Sequence, residues 1–344
     1  MRVLRGSAEP LARRYRTALL DLDGVVYRGS VAVEHAAEAL TQARRHALRT
    51  LFVTNNASRT PAEVATLISG FGLPVAPDEV VTSAQAAARL AAEQVPPGSP
   101  VLIVGGPSLE LALAEVGLRP VRSAGDDPAA VVQGFAPDVD WRQLAEASYA
   151  VARGIPWIVS NMDLAVPREG GIAPGNGALA TAVRLATGKE PLVAGKPQQA
   201  IFTESVRRSE PPHLVVGDGL ITDIEGANAS GLDSLLVLTG VTTVRTLATA
   251  PPHHRPTYLA ADLRGLLVPH NDLVTTGTTV HCGTWTADLA HGDLLLTTTN
   301  PANHTDGARA LCAAAWLAAD STMDCALDTA LAYWTVLSTD SQAA

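Results

Sequence analysis

Cysteine is scarce in this chain of 344 residues: there are three, Cys282, Cys312 and Cys325, all in its last quarter. Their spacing matches neither a zinc site nor a disulfide framework, so reduced thiols in a cytoplasmic protein are expected. Aromatic residues are also sparse, at 4%, which leaves alanine, leucine and valine to fill the core that a 47% hydrophobic share can build. Positive charge is short too, with 25 Lys and Arg against 34 Asp and Glu and a net charge of -9. Such a field repels polyanions and argues against nucleic acid as a partner. It leaves room for a small anion, because a bound metal and a few local cations override a distant field. No apolar run reaches the roughly 18 residues of a membrane span, and no membrane association is expected. The N-terminal MRVLRGSAEPLARRYR is rich in arginine, and Ala18-Leu19-Leu20 behind it is too short for a signal-peptide core. Residues 1–14 are therefore expected to form a mobile arm.

What the chain has instead is alternation. Its length suits two or three domains. Apolar runs at Thr17–Leu20, Thr50–Val53, Val101–Val104, Ala130–Val132, Trp157–Val159, Leu214–Val216 and Ser234–Leu238 read as strands. Helical stretches at Val33–Arg45, Pro61–Gly70 and Ser83–Gln94 separate the early ones, so the fold class is α/β with a doubly wound parallel sheet. The expected core spans residues 15–86 and 188–268, with an α/β cap inserted at 87–187. Beyond Pro269 a threonine-rich stretch with turn signals at Gly277, Gly283 and Gly292 precedes two helices. Residues 269–344 therefore read as a small α+β appendage. In its second helix Ser321 is the expected N-cap, with Leu327, Ala330, Leu331 and Trp334 on one face.

Polar clusters follow four of the strands, where open α/β sheets bind ligands. In LLDLDGVVYRG, Asp21 and Asp23 stand two residues apart at a strand end before Gly24. Adjacent carboxylates demand a cation, and hard oxygen ligands suit Mg²⁺. One of them can attack phosphorus while the other handles the leaving-group proton. Taken alone, the pair reads more readily as a turn or helix cap than as a catalytic site. In LFVTNNASRT, a hydroxyl and an amide can donate to phosphoryl oxygens, although a Thr-Asn-Asn turn before Pro61 is common. Lys196 in VAGKPQQAIF is fixed between Gly195 and Pro197 and can neutralise phosphate, or can be a solvated surface charge. Asp218 and Asp223 in LVVGDGLITDIEGANASG can complete a metal site or cap the next helix. A fifth cluster, Ser160-Asn161-Met162-Asp163, ends the strand at Trp157. The glycines at 170, 171, 175 and 177 lack the order of a nucleotide-binding loop and read as a cap loop. His281-Cys282 with His291 is spaced too loosely for a metal and reads as core packing.

In this order, DLDGVVYRG, FVTNNASRT, AGKPQQAIF and VGDGLITDIEGA resemble the four motifs of the haloacid dehalogenase superfamily, in its nitrophenyl-phosphatase-like branch with a large α/β cap. NMDLAVPREGGIAPGNGALATAVRLATG resembles that branch's cap. The resemblance implies a magnesium-dependent phosphoric monoester hydrolase. Asp21 would be the nucleophile and form an aspartyl-phosphate. Asp23 would be general acid/base and give the metal its backbone carbonyl, making the metal set Asp21, Asp23, Asp218 and Asp223. Thr54 and Asn55 would hold the phosphoryl group, with Gly24 and Asn56 also binding substrate, and Lys196 would stabilise charge. Gly219 and Ile221 depart from the family, which usually carries polar or charged residues there. The layout, with VVTSAQAAARL, VLIVGG, VGLRPVRS, AVVQG, LVVGD and RPTYLAADLRGL, resembles mycobacterial-type glycerol-3-phosphate phosphatases, a group whose tail is acetyltransferase-like. No acetyl-CoA pyrophosphate loop is visible in residues 270–344, so a structural or interfacial role is expected for the tail. The expected substrate is a small phosphorylated metabolite, glycerol 3-phosphate first, then phosphoglycolate, pyridoxal phosphate, a sugar phosphate or a nucleoside monophosphate. A non-catalytic regulator on the same fold is the other class considered. A homodimer through the cap or tail is the assembly considered.

Overall fold

A computed structural model describes residues 3–168, 170–301 and 303–340. Packing divides the chain into two compact units, one made of residues up to Thr50 and from Glu210 onward, the other of Leu51–Ser209. In the first, the strand Thr17–Leu20 is wholly buried. It pairs in parallel with His213–Gly217, which pairs with Asp233–Val237, which pairs with Tyr258–Ala260. Continuous burial, rather than alternation, is what strands of a parallel sheet covered on both faces require. The helix expected from Val33 begins at Ala36, after His35 takes a left-handed turn at φ 62°.

The segment expected to be a mobile arm is tied down from Leu4 onward. Arg5 N donates to Thr257 O at 2.8 Å, Ser7 exchanges backbone hydrogen bonds with His270, and the helix Leu11–Arg14 buries Leu11 and Ala12. Leu4 is buried as well. These few apolar residues decide the outcome, although arginine dominates the composition around them.

The tail forms a four-stranded antiparallel sheet, Leu273–Thr276, Thr279–Cys282, Trp285–Ala290 and Asp293–Thr298, with its turns at the expected glycines. The helices His304–Asp320 and Asp328–Asp340 follow. Ser321 does not begin the second helix. Its N–H donates to Leu317 O at 3.1 Å and closes the first one, so the next helix starts at Asp328. Ala330 and Leu331 are buried and Leu327 and Trp334 partly so, against one apolar cluster. In that cluster Trp285, Leu311 and Trp316 of the tail pack with Leu236, Val244, Leu247 and Leu259 of the parallel layer. Cys282 is buried there, whereas His281 is exposed and bonds Thr286 at 3.0 Å.

The second unit begins inside the strand Arg49–Thr54, whose Phe52–Thr54 pairs in parallel with Val80–Thr82. Helix Pro61–Gly70 starts where it should, because Thr60 and Glu63 form a reciprocal capping box ahead of Pro61. A five-stranded parallel sheet runs in the order Leu192–Val193, Trp157–Val159, Ala130–Gln133, Pro100–Val104, Arg119–Val121. Leu192–Val193 carries this sheet past residue 187. The glycine-rich stretch is the hairpin Ala165–Arg168 with Gly171–Pro174, leading into helix Asn176–Thr187.

Candidate active site

In the first unit three carboxylates converge, two at strand ends and one in the turn that follows. Asp21 leaves the buried strand with its N–H on Val216 O at 2.8 Å, which continues the parallel ladder by one residue. Asp218 follows His213–Gly217, and Asp223 lies in the π-helical turn Leu220–Ile224. One oxygen from each of Asp21, Asp218 and Asp223 lies within 4.8 Å of the others, while Asp218 and Asp223 are 4% and 0% exposed. Removing adjacent negative charges from water is costly unless a cation joins them.

Backbone N–H groups and threonine hydroxyls hold this set in place. Val241 N donates to Asp218 Oδ2 at 2.6 Å, and Thr242 Oγ1 donates to Asp218 O. Gly219 N and Thr222 Oγ1 donate to Asp223 Oδ2 at 3.1 and 3.2 Å. Two glycines make room. Gly24 has φ +82°, and a Cβ there would lie 2.4 Å from Asp218 Oδ2; one on Gly240 would lie 1.7 Å from the same atom. Gly24 is fixed in turn by Thr239 Oγ1, which donates to its carbonyl at 2.6 Å. Gly24 therefore has a packing task beside the metal carboxylate. The departure at 219 has a local reason, since a Cβ there would sit 2.2 Å from Thr222 Oγ1; Ile221 points into solvent, 62% exposed.

Asp23 stands outside the trio. Its side chain is exposed, on a loop whose backbone bridges Asp23 to Tyr27. Octahedral oxygen ligands at 2.0–2.1 Å stand about 2.9 Å apart when adjacent and about 4.2 Å apart when opposite, so three carboxylate oxygens within 4.8 Å of one another are the donors and the spacing that suit a Mg²⁺ ion.

The second unit holds a separate polar cluster around Lys196, which is 5% exposed. Asn55 clamps the backbone of that residue: its Oδ1 accepts from Lys196 N at 2.8 Å, and its Nδ2 donates to Lys196 O at 3.2 Å. The same Nδ2 lies 3.4 Å from both carboxylate oxygens of Asp163. Asn55 O accepts from Ser83 Oγ at 2.6 Å and Asn161 Nδ2 at 2.8 Å. The Asn55 side chain, expected on the phosphoryl group, is thus engaged in holding Lys196. Asn56 is engaged too, its Oδ1 accepting from Ser58 N at 2.9 Å and Arg59 N at 3.0 Å in an Asx turn. Thr54 Oγ1 accepts from Asn56 N at 3.1 Å, which leaves its hydroxyl proton to donate.

Asp163 is the group given no task from sequence. Partial burial pushes its carboxyl above the ordinary aspartate range, with the Asn55 hydrogen bond and the Lys196 charge pulling against that. The signal was its place in a polar cluster ending a strand. Val241 and Thr242 carried no comparable signal, because one acts through its backbone N–H and the other through a hydroxyl whose partner lies 24 positions away.

Comparison with known proteins gives the chain its family. A haloacid dehalogenase-like hydrolase model matches residues 18–119, and a second HAD-hydrolase-like model matches 193–266. The D-glycerol 3-phosphate phosphatase of Mycobacterium tuberculosis is 47% identical over 82% of this chain and 78% of its own length. The 5'-nucleotidase YutF of Bacillus subtilis is 35% identical over 67% of this chain and 90% of its length. Among solved structures, the glycerol phosphate phosphatase Rv1692 of M. tuberculosis in complex with magnesium superposes with a TM-score of 0.82 at 42% identity, over 90% of this chain and 92% of that one. The p-nitrophenyl phosphatase of Archaeoglobus fulgidus gives 0.66 at 30% identity, over 73% and 97%. Asp21 falls within the first matched range and Asp218 and Asp223 within the second, and this chain belongs to the haloacid dehalogenase-like hydrolases.

Proposed function

We propose that this chain is a magnesium-dependent phosphatase of small phosphate monoesters, with glycerol 3-phosphate as its substrate. The convergence of Asp21 and Asp218, at the ends of parallel strands, with Asp223 of the following turn carries the chemistry. The 47% identity to a D-glycerol 3-phosphate phosphatase favours the substrate. Asp21, Asp218 and Asp223, with the Asp23 carbonyl, would hold Mg²⁺, which when bound neutralises the carboxylates and the phosphoryl oxygens. An Asp21 oxygen forms a bond to phosphorus as the ester P–O bond breaks, and Asp23 gives its proton to the departing alkoxide. Water then attacks the aspartyl-phosphate, Asp23 takes a proton back, and inorganic phosphate leaves with Asp21 restored. Lys196 and the Thr54 hydroxyl serve the charge on the transferring group. Asn55 acts by positioning Lys196. A reducing cytoplasm fits the free thiols of Cys282, Cys312 and Cys325, and a homodimer is the proposed assembly.

Asp21→Asn keeps the side-chain shape and removes the nucleophile. Its kcat is expected to fall by about a thousandfold or more, with circular dichroism unchanged; undiminished turnover would sink the assignment. A panel of glycerol 3-phosphate, a nucleoside monophosphate, a sugar phosphate, phosphoglycolate and pyridoxal phosphate tests the substrate, and glycerol 3-phosphate should give the highest kcat/KM.

A further inference from the structure

A second group of ligating side chains lies in the first unit, outside the carboxylate trio. Glu225, in the first turn of helix Glu225–Ala229, meets His253 and His254 of the 3₁₀ turn Pro252–His254. One ligating atom from each lies within 4.8 Å of the others. His254 Nε2 is 2.8 Å from Glu225 Oε2, and the two imidazole centroids are 4.2 Å apart.

Three features set this apart from a chance surface contact. The turn is locked, because Asn228 Nδ2 donates to His253 O at 2.7 Å and Arg255 O at 3.1 Å. It is anchored on its far side by Arg255, whose guanidinium pairs with both carboxylate oxygens of Asp320 at 2.6 and 2.9 Å. The His253 ring nitrogens also carry no hydrogen bond among the described residues, so one is free to ligate.

We propose that Glu225, His253 and His254 form a metal site for a borderline divalent cation such as Zn²⁺, distinct from the Mg²⁺ carboxylates. Two imidazoles and one carboxylate are a nitrogen-rich set that Mg²⁺ does not favour and Zn²⁺ does. Tetrahedral ligands at 2.0–2.1 Å stand about 3.4 Å apart, and the three ligating atoms lie within 4.8 Å of one another, so a modest side-chain adjustment gathers them. Rotation of the exposed His253 side chain supplies that. Three protein ligands leave the fourth position to water. Bound there, the ion clamps the turn at Pro252–His254 to the helix that begins two residues after Asp223, and it stabilises the folded chain by mass action.

The test is calorimetric titration of the full-length protein with Zn²⁺ in excess Mg²⁺, backed by the visible absorption of Co²⁺, whose intensity separates four-coordinate from six-coordinate sites. The parent is expected to take up one Zn²⁺ per chain and to melt at higher temperature with it. His253→Ala and His254→Ala should each weaken that binding at least about tenfold while keeping Mg²⁺-dependent turnover. Asp218→Asn should do the reverse, so failure of the phosphatase reading and failure of this one are distinguishable. If His254→Ala does not fold, the exposed His253→Asn decides. Unchanged Zn²⁺ affinity in the His253 variant, or no Zn²⁺ uptake by the parent with Mg²⁺ present, overturns the proposal.

Discussion

At the residue scale, the aspartates were legible and their supports were not. A carboxylate pair after an apolar strand marks itself, because charge at such a place needs a cation. Asn55 and Asn56 show the opposite case. Both are of the type that binds phosphate, yet one side chain grips Lys196 and the other closes a turn. A polar side chain's task depends on which backbone groups come near it, and those are 141 positions apart for Asn55 and Lys196. Gly240 was equally silent, although its hydrogen atom is all that fits beside Asp218 Oδ2. Gly240→Ala is therefore expected to displace that carboxylate and weaken Mg²⁺ activation by about tenfold or more, at little change in saturating KM for the ester. Metal titration of initial rates checks this, and an unshifted magnesium requirement would refute the wedge.

At the element scale, strand and helix cores followed the apolar pattern closely, and the ends moved where caps decided them. Thr60 and Glu63 fixed one helix start, while Ser321 closed the helix before it instead of opening the one after. The tail helix His304–Asp320 carries a buried ion pair, Arg309 Nη1 to Asp306 Oδ1 at 2.9 Å, with side chains 1% and 4% exposed. Asn271 and Asn303 donate to the other Asp306 oxygen at 2.6 and 2.7 Å, and Arg309 Nη2 reaches the carbonyls of Arg5 and Asn271. Asp306→Ala leaves a buried guanidinium without its counter-charge and should cost about 3–5 kcal/mol in chemical denaturation. A loss below 1 kcal/mol would mean that water reaches the site.

At the scale of the whole molecule, the tail is continuous with the core of its unit. Removing residues 269–344 would expose Val244, Leu247 and Leu259 of the shared cluster. Truncation at residue 268 is expected to give an aggregating protein by light scattering, and a monodisperse, active fragment would contradict that. His270 sits at this seam, with Nε2 donating to Gly265 O at 2.8 Å and its backbone paired to Ser7. Burial holds its pKa below the ordinary imidazole value. The unfolded chain then binds a proton that the folded one refuses, so stability should fall as pH drops through about 6.5 and level off once the folded form is also protonated. Urea denaturation from pH 5 to 8 should show that slope in the parent and a shallower one in His270→Gln; identical slopes would rule the residue out. The sequence by itself determined the α/β class, the parallel strands and the aspartates at their ends, because burial periodicity and charge at a strand end are local properties. Only tertiary structure decided that Asp23 stands apart from the carboxylate trio, that Asn55 serves Lys196, and that the tail and N-terminal segment complete one core. Each of those depends on which distant backbone and apolar groups come into contact.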